Sequence, residues 1–527
     1  MKILICDPLA KQGIEILERE PDIRVDLKTS LGREELVARI PEYDGLIVRS
    51  STKVTRDVIE AAIKLKVIGR AGVGVDNIDL DAATRKGIIV LNTPSANTIS
   101  AAEHTIAMML SLSRNIHLAN HSLKSGEWNR RRFTGVEVFN KTLGVIGLGR
   151  IGTEVVKRAQ GLGMKVLAFD PHLSREGAER LKVQLVQLDQ LLRESDYITV
   201  HTPLTPETRG MIGEREFEMM KDGVRIINCA RGGIIDEKAL YNALVSGKVA
   251  GAALDVFEIE PPPPENPLLK LDNVLVTPHL GAATREAQVN VAVEVCSQVL
   301  KALRGEMVAS AVNMPPIDPQ TLKLLGPYMS LAEKLGLLQG QLIEGNISEI
   351  TIDYAGEFFR GDLTPLTVAI EKGLLDPVLQ ETVNFVNAPF FIKQRGIKVM
   401  ETRSGEHPDF ANLISVTVKT DSAIRTVAGT VYGKHDPRIV LLDEYHVNAV
   451  PYGHILLVYN DDRPGAIGTI GTILGRNNIN IADMSVGRFQ PGGKAVMVIN
   501  VDSEVPRDVI GEIRSAPGIT FVKQVRL

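Results

Sequence analysis

The stretch Leu143-Gly144-Val145-Ile146-Gly147-Leu148-Gly149-Arg150-Ile151-Gly152 constrains this chain more than any other. An apolar strand runs without a spacer into glycines at the first, third and sixth places of a hexapeptide, and a helical run from Thr153 to Gly161 follows. Gly147 permits the tight turn, Gly149 lets backbone approach a pyrophosphate and Gly152 lets the helix pack on the strand. The helix N-terminus, entered through Ile151, offers free N–H groups to an anion. The next strand, Lys165 to Phe169, ends in Asp170, about 20 residues on, where a carboxylate can accept from both ribose hydroxyls and repel a 2′-phosphate. Strand, turn, helix and acid together predict a βαβ unit that binds NAD in preference to NADP. Arg150, inside the fingerprint, reads as a pyrophosphate contact or a solvated residue.

A chain of 527 residues is too long for one hydrophobic core, so several domains are expected. A formal net charge of −4 supplies no broad cationic field, which argues against nucleic acid as a partner and leaves small anionic substrates open. Cys6, Cys229 and Cys296 form no CxxC or metal-ligand spacing, so neither a disulfide framework nor a metal site is expected, and a reducing, cytoplasmic setting is. No run approaches about 18 uninterrupted apolar residues, so no membrane partner is expected, and MKILICDPLA reads as a first strand and not as a signal.

Short β-type runs at Ile3–Cys6, Leu46–Val48, Val67–Ile68 and Ile88–Val90 alternate with polar helical stretches, predicting a first Rossmann-like lobe. A helix, capped by Asn97 or Ser100, is expected to continue to about Leu118, and a second doubly wound lobe begins at Thr142. The helical stretch from Thr284 to Leu303 has no strand after it and is expected to return to the first lobe, making that lobe discontinuous. The domains read as 1–97 with 284–312 for substrate, 98–283 for NAD, 318–450 as an α+β intervening domain, and 453–527 in the ferredoxin-like order β-α-β-β-α-β. A linker centred on 313–319, rich in proline, divides the halves.

Three polar residues follow predicted strands of the NAD lobe, where open α/β sheets hold ligands. Arg231 presents a fork that can bind a 2-hydroxy carboxylate bidentately. His279 can take the hydroxyl proton near neutral pH, and Glu260 can orient its imidazole. Singly, each is an ordinary surface or turn residue; together, beside a dinucleotide fingerprint, they predict a dehydrogenase. Cys229 reads as packing. Arg49 and Arg70 also follow strands and are candidates for a second anion, whereas Arg130-Arg131-Arg132 reads equally as a solvated loop.

The motifs VRSSTKV, GRAGVGVDNIDL, NTPSANTISAAEHT, KTLGVIGLGRIG, INCARGGIIDE, ALDVFEIEPP, TPHLGAAT and DDRPGAIGTIG with NINIADM, taken as a set, resemble the D-isomer-specific 2-hydroxyacid dehydrogenases. The likeness spans nearly the whole chain and is strongest to the long branch of that family, which carries a C-terminal ACT domain. It implies Arg231, Glu260 and His279 as the catalytic set, and Thr202, Cys229 and Asp255 as further NAD contacts. It implies Arg49 and Arg70 on the substrate phosphate or carboxylate, with the amides of Gly72, Val73 and Gly74 facing the carboxylate. It further implies 3-phosphoglycerate as substrate and a homotetramer. Asn460 and Asp462, in the turn after the first ACT strand, and Asn480, before the next, are candidate ligands for an amino-acid effector, with L-serine implied by the resemblance. The alternatives are a dehydrogenase for another D-2-hydroxy acid and a non-catalytic NAD-binding amino-acid sensor. Asn140 departs from the family pattern, which commonly has glycine there.

Overall fold

Four-residue runs of Ile, Leu and Val are too short for helices and, when buried on both faces, form the centres of parallel sheets covered by helices. The computed structural model describes every residue except 307, 309, 316–318, 357, 358 and 360, so the predicted linker's Pro316, Ile317 and Asp318 lie outside the described residues. The chain divides into two compact units, one of Met1–Lys53, Ile68–Ile78 and Leu91–Arg304, the other of Val54–Val67, Asp79–Val90 and Gly305–Leu527.

Strands β1 (Lys2–Ile5), β2 (Arg24–Leu27), β3 (Gly45–Val48), β4 (Val67–Arg70) and β5 (Ile89–Leu91) form a sheet of order β2-β1-β3-β4-β5. β1 runs parallel to both neighbours. β2 escaped the sequence reading because Arg-Val-Asp-Leu is an edge strand with no fully buried residue. Helix α1 (Lys11–Glu18) packs against α5, defined below.

The helix expected to reach Leu118 stops early. α2 (Thr98–Ser113) ends at Arg114, Asn115 takes a left-handed φ of 53°, and α3 (Ile116–Lys124) begins after it. The unusual Asn140 also has positive φ, 60°, a conformation that glycine adopts freely and asparagine tolerates.

The second sheet comprises β6 (Thr142–Ile146), β7 (Lys165–Phe169), β8 (Gln184–Leu185), β9 (Tyr197–Val200), β10 (Val224–Asn228), β11 (Val249–Leu254) and β12 (Val274–Val276). Its order is β12-β11-β10-β9-β6-β7-β8 and every pairing is parallel. The chain winds from β6 outward to β8, then crosses back to β9 and winds the other way. The crevice past the carboxyl ends of β6 and β9 is therefore the topological switch point, where such sheets bind ligands. α4 (Arg150–Gly161) follows β6. α5 (Arg285–Leu303), capped by the Thr284 hydroxyl accepting from Ala287 N, returns to pack on α1 and β3.

In the other unit, α6 (Pro319–Leu342) and α7 (Thr364–Leu375) pack together. They accompany a six-stranded sheet of β13 (Ile347–Ala355), β14 (Lys398–Ser404), β15 (Leu413–Thr420), β16 (Ile424–Tyr432), β17 (Asp436–Leu442) and β18 (Tyr445–Ala449). Its order is β14-β13-β15-β16-β17-β18, with only the β13/β14 pair parallel. The last domain is β19 (His454–Asp461), α8 (Ala466–Arg476), β20 (Ile481–Arg488), β21 (Lys494–Val501), α9 (Arg507–Ser515) and β22 (Ile519–Arg526), with sheet order β20-β21-β19-β22. Among the described residues no helix is long and apolar enough to cross a membrane.

Candidate active site

The glycine fingerprint lies at the switch point. Gly147 has φ 94°, and a Cβ there would come within 2.7 Å of the His201 carbonyl oxygen just past β9, so only glycine fits this crossing. A Cβ on Gly152 would meet the Gly147 oxygen at 2.0 Å, which makes this residue the close contact between α4 and the turn. Gly149 faces open space. Across the crevice, the Thr202 hydroxyl is buried and has no hydrogen-bond partner among the described residues, as fits a group that bonds a polar ligand. Asp170 accepts from Leu148 N at 2.8 Å and His172 N at 2.8 Å, which ties the end of β7 to the glycine turn. Arg150 and Gly149 are exposed at the helix entrance, with Ile151 half-buried behind them. An open glycine cradle, an unpaired hydroxyl opposite and a fixed acid fit a dinucleotide.

The loop after β12 carries His279, a non-glycine residue at φ 54°. Such a conformation costs on the order of 1–3 kcal/mol and persists only where its surroundings hold it. The holding group is Asp255 at the end of β11, whose side chain has no exposed surface. Its carboxylate accepts from the Thr277 hydroxyl at 2.5 Å, Leu280 N at 2.7 Å and Gly281 N at 2.8 Å, and its carbonyl accepts from His279 N at 3.0 Å. Burial pushes this carboxyl up, but hydrogen bonds from His104, Thr277 and Leu280 outweigh it and leave it below its ordinary value. His279 Nδ1 lies 2.8 Å from Glu260 Oε2, while Glu260 Oε1 accepts from Phe257 N at 3.2 Å. Partial burial raises the Glu260 carboxyl. The bond to His279, aided by the charge of Arg231, brings it net below the usual carboxylate range, so it remains ionised at neutral pH.

Arg231 follows β10, where Asn228 donates to its carbonyl at 2.9 Å and its own Nη1 donates to Ala230 O at 2.6 Å. Its Nε lies 3.4 Å from Asp76 Oδ2, and a Cβ on Gly74 would stand 2.1 Å from Nη2. The guanidinium therefore lies against the bare Gly74 backbone, and the loop of Gly72, Val73 and Gly74 is tied down by Asn92 Nδ2 donating to Val73 O at 2.7 Å. Arg70 at the end of β4 is largely buried, with an Nε that has no hydrogen-bond partner among the described residues. Burial, and then the like charge of Arg231, bring it down to about 10. A buried cation with an unfilled donor beside a second cation is a place for an anion. Arg49 joins from β3: its N–H donates to Asp7 at 2.5 Å and its Nη1 to Pro8 O at 3.3 Å. Arg130, Arg131 and Arg132 are exposed, and Arg132 faces Asp272 at 3.6 Å and Glu127 at 4.0 Å. Cys229 is buried, which pushes its thiol up to about 12 and leaves it protonated. Asp76, Asn92 and His104 escaped the sequence reading, since each acts through space on a residue distant in sequence.

The three candidate effector residues are placed differently. Asn460 is buried near the end of β19, its Nδ2 donating to Asp461 O at 2.6 Å and its Oδ1 unpaired among the described residues. Asp462 accepts from Gly492 N at 3.0 Å, and Asn480 Nδ2 donates to Asp502 at 2.7 Å. Each bonds its own neighbourhood; none of the three bonds another. Among the described residues no three His, Cys, Asp or Glu side chains group to hold a metal.

Three family models match: D-isomer specific 2-hydroxyacid dehydrogenase, NAD binding domain, over residues 106–281; the D-3-phosphoglycerate dehydrogenase intervening domain over 324–443; and the ACT domain over 454–518. A D-3-phosphoglycerate dehydrogenase of Archaeoglobus fulgidus is 46% identical over 100% of both chains. One of Methanocaldococcus jannaschii is 49% identical, again over 100% of both. Among solved structures, D-lactate dehydrogenase from Aquifex aeolicus, complexed with NAD and lactic acid, is 32% identical with a TM-score of 0.53, covering 58% of this chain and 96% of that one.

Proposed function

The chain belongs to the D-3-phosphoglycerate dehydrogenase family, and from that premise we propose that it oxidises D-3-phosphoglycerate to 3-phosphohydroxypyruvate with NAD, opening L-serine synthesis. The observation that carries the reading is the His279–Glu260 bond of 2.8 Å in the same compact unit as Arg231, Arg70 and Arg49, with Arg70 largely buried and its Nε an unfilled donor. Gly147, Gly149, Arg150, Ile151, Gly152, Asp170, Thr202 and Cys229 would hold the dinucleotide, whereas Asp255, with no exposed surface, would act only through the His279 loop it anchors. Bound there, NAD would supply the oxidant, an acceptor for the hydride on C2 of the substrate.

The protein's residues supply the rest. Glu260 occupies His279 Nδ1, so Nε2 is the nitrogen left to accept the C2 hydroxyl proton as the C2–O double bond forms. The ionised Glu260 stabilises the imidazolium that results. Arg231 grips the carboxylate and forming carbonyl with its remaining N–H groups, and the Gly72, Val73 and Gly74 amides face the carboxylate. A phosphoryl group adds a charge of about −2, which calls for cations beyond those a lactate needs, and Arg49 and Arg70 are those cations. The finer reading adds a cytoplasmic homotetramer whose ACT domains bind L-serine through Asn460, Asp462 and Asn480. Turnover with 3-phosphoglycerate, D-glycerate and D-lactate tests the substrate: the highest kcat/KM belongs to phosphoglycerate, and equal values for the three acids would reject a phosphate site.

A further inference from the structure

The residues on both sides of His279 hang on a single buried carboxylate. Thr277, Leu280 and Gly281 all donate to Asp255, and the His279 N–H donates to its carbonyl. Among the described residues, the carboxylate has one donor that does not belong to this loop. His104 on α2 places Nε2 3.2 Å from Asp255 Oδ1 and 3.2 Å from the Thr277 hydroxyl. The Thr277 hydroxyl proton is already given to Asp255 at 2.5 Å, so the Nε2 proton of His104 goes to the carboxylate, with Thr277 Oγ1 beside it. A solvent-free carboxylate stays ionised only when donors compensate its burial, and removing one leaves the others to rearrange around an under-satisfied charge. These others are the Thr277 hydroxyl and the Leu280 and Gly281 N–H groups, which flank His279 in its left-handed conformation.

We propose that His104 is a positioning residue of the dehydrogenase reaction: its imidazole secures the Asp255 carboxylate, and Asp255 in turn holds the His279 loop. His104 touches neither substrate nor the reacting atoms. It acts from α2, across the sheet edge, on a loop 173 residues away in sequence at Thr277. The inference rests on the proposed role of His279 as base.

The test compares two variants in the full-length enzyme. His104→Leu removes the donor and keeps the bulk; His104→Gln returns an N–H near the place of Nε2. Misplacement of a catalytic group by a fraction of an ångström to an ångström lowers turnover by about 10- to 100-fold, so kcat of His104→Leu falls in that range. The NAD dissociation constant, read by fluorescence titration, stays within about threefold, and His104→Gln recovers kcat to within about threefold of wild type. A role in stability alone would instead lower the thermal midpoint in step with kcat. A His104→Leu kcat within twofold of wild type overturns the proposal, as does an equal loss in both variants. Should His104→Leu not fold, Thr277→Val removes another donor to the same carboxylate oxygen and must lower kcat with NAD binding retained; an unchanged kcat there also overturns it. A wild type that turns over glycerate or lactate but not phosphoglycerate rejects the substrate reading alone, and the variant ratios are then measured with that acid.

Discussion

Each of the two compact units buries a carboxylate, and the two surroundings treat it oppositely. Asp255, with no exposed surface, has His104, Thr277, Leu280 and Gly281 as donors and sits below its ordinary pKa. Glu371 on α7, 6% exposed, has an Oε2 with no partner among the described residues, and burial, reinforced by the charge of Glu401, pushes it up to about 7. Burial is common to both, so donors decide which acid stays charged. In the first unit four donors converge on the acid and fix the loop around His279; in the second, Glu371 Oε2 has no such donor among the described residues and stays protonated to higher pH.

The sharpest way to break this contrast is at the loop Asp255 organises. His279→Ala lowers turnover by about 10²–10⁴ with NADH binding nearly intact, because a general base is lost outside the cofactor turn. Near-normal turnover, measured at saturating NAD, would remove His279 from the mechanism and leave Asp255 a purely structural acid. Asp170→Ala loses the hydrogen bonds of one charged acceptor, so NAD binding weakens by about 10- to 100-fold while NADP binding improves. Titration of both cofactors against wild type and variant checks this, and a wild type that prefers NADP contradicts it.

In the second unit the sign reverses. The folded pKa of Glu371, about 7, lies above the unfolded value near 4.5, so between these pH values the folded chain keeps a proton that the unfolded chain releases. Stability contributed by this group is therefore full below about pH 4.5 and falls as pH rises to about 7. Glu371→Gln cannot ionise, and it should stabilise this unit by on the order of 2–3 kcal/mol at pH 8 and hardly at all at pH 4. Thermal unfolding of both proteins at the two pH values reads the difference; equal shifts would mean that Glu371 finds a donor in solution. The smallest expected effect is regulatory. If millimolar L-serine couples to the active site by a typical 1–3 kcal/mol, turnover changes roughly five-fold or more, and Asp462→Ala abolishes the change. Calorimetry with the full enzyme separates serine binding without inhibition, which rejects only the coupling, from no binding, which rejects the effector site.

The dinucleotide turn was legible because its demands are local. Gly147 must adopt positive φ beside another strand's carbonyl, and no other side chain fits. Arg231, Glu260 and His279 could be singled out as candidates because each follows a strand of the second sheet, β10, β11 or β12. The sequence did not reveal that α2 stops at Ser113, since a left-handed Asn115 leaves no hydrophobic signal, nor that Arg-Val-Asp-Leu pairs at a sheet edge, where alternating charge hides the strand. The intervening domain offered no chemical motif, and its sheet order rests on pairings between distant strands such as β13 with β14 and β15.

By itself, then, the amino-acid order determined the βαβ units and the glycine turn that opens α4, both of which follow from short-range geometry, and it nominated Asp170 for cofactor preference and Arg231, Glu260 and His279 for the chemistry. Only the tertiary structure decided that His104 reaches Asp255, that Asp76 flanks Arg231 at 3.4 Å and that Asn460, Asp462 and Asn480 each bond elsewhere and not to one another. Local conformation is encoded by neighbours a few residues apart. A buried carboxylate takes its donors from whatever elements the packing brings within hydrogen-bond reach, and no sequence spacing records that distance.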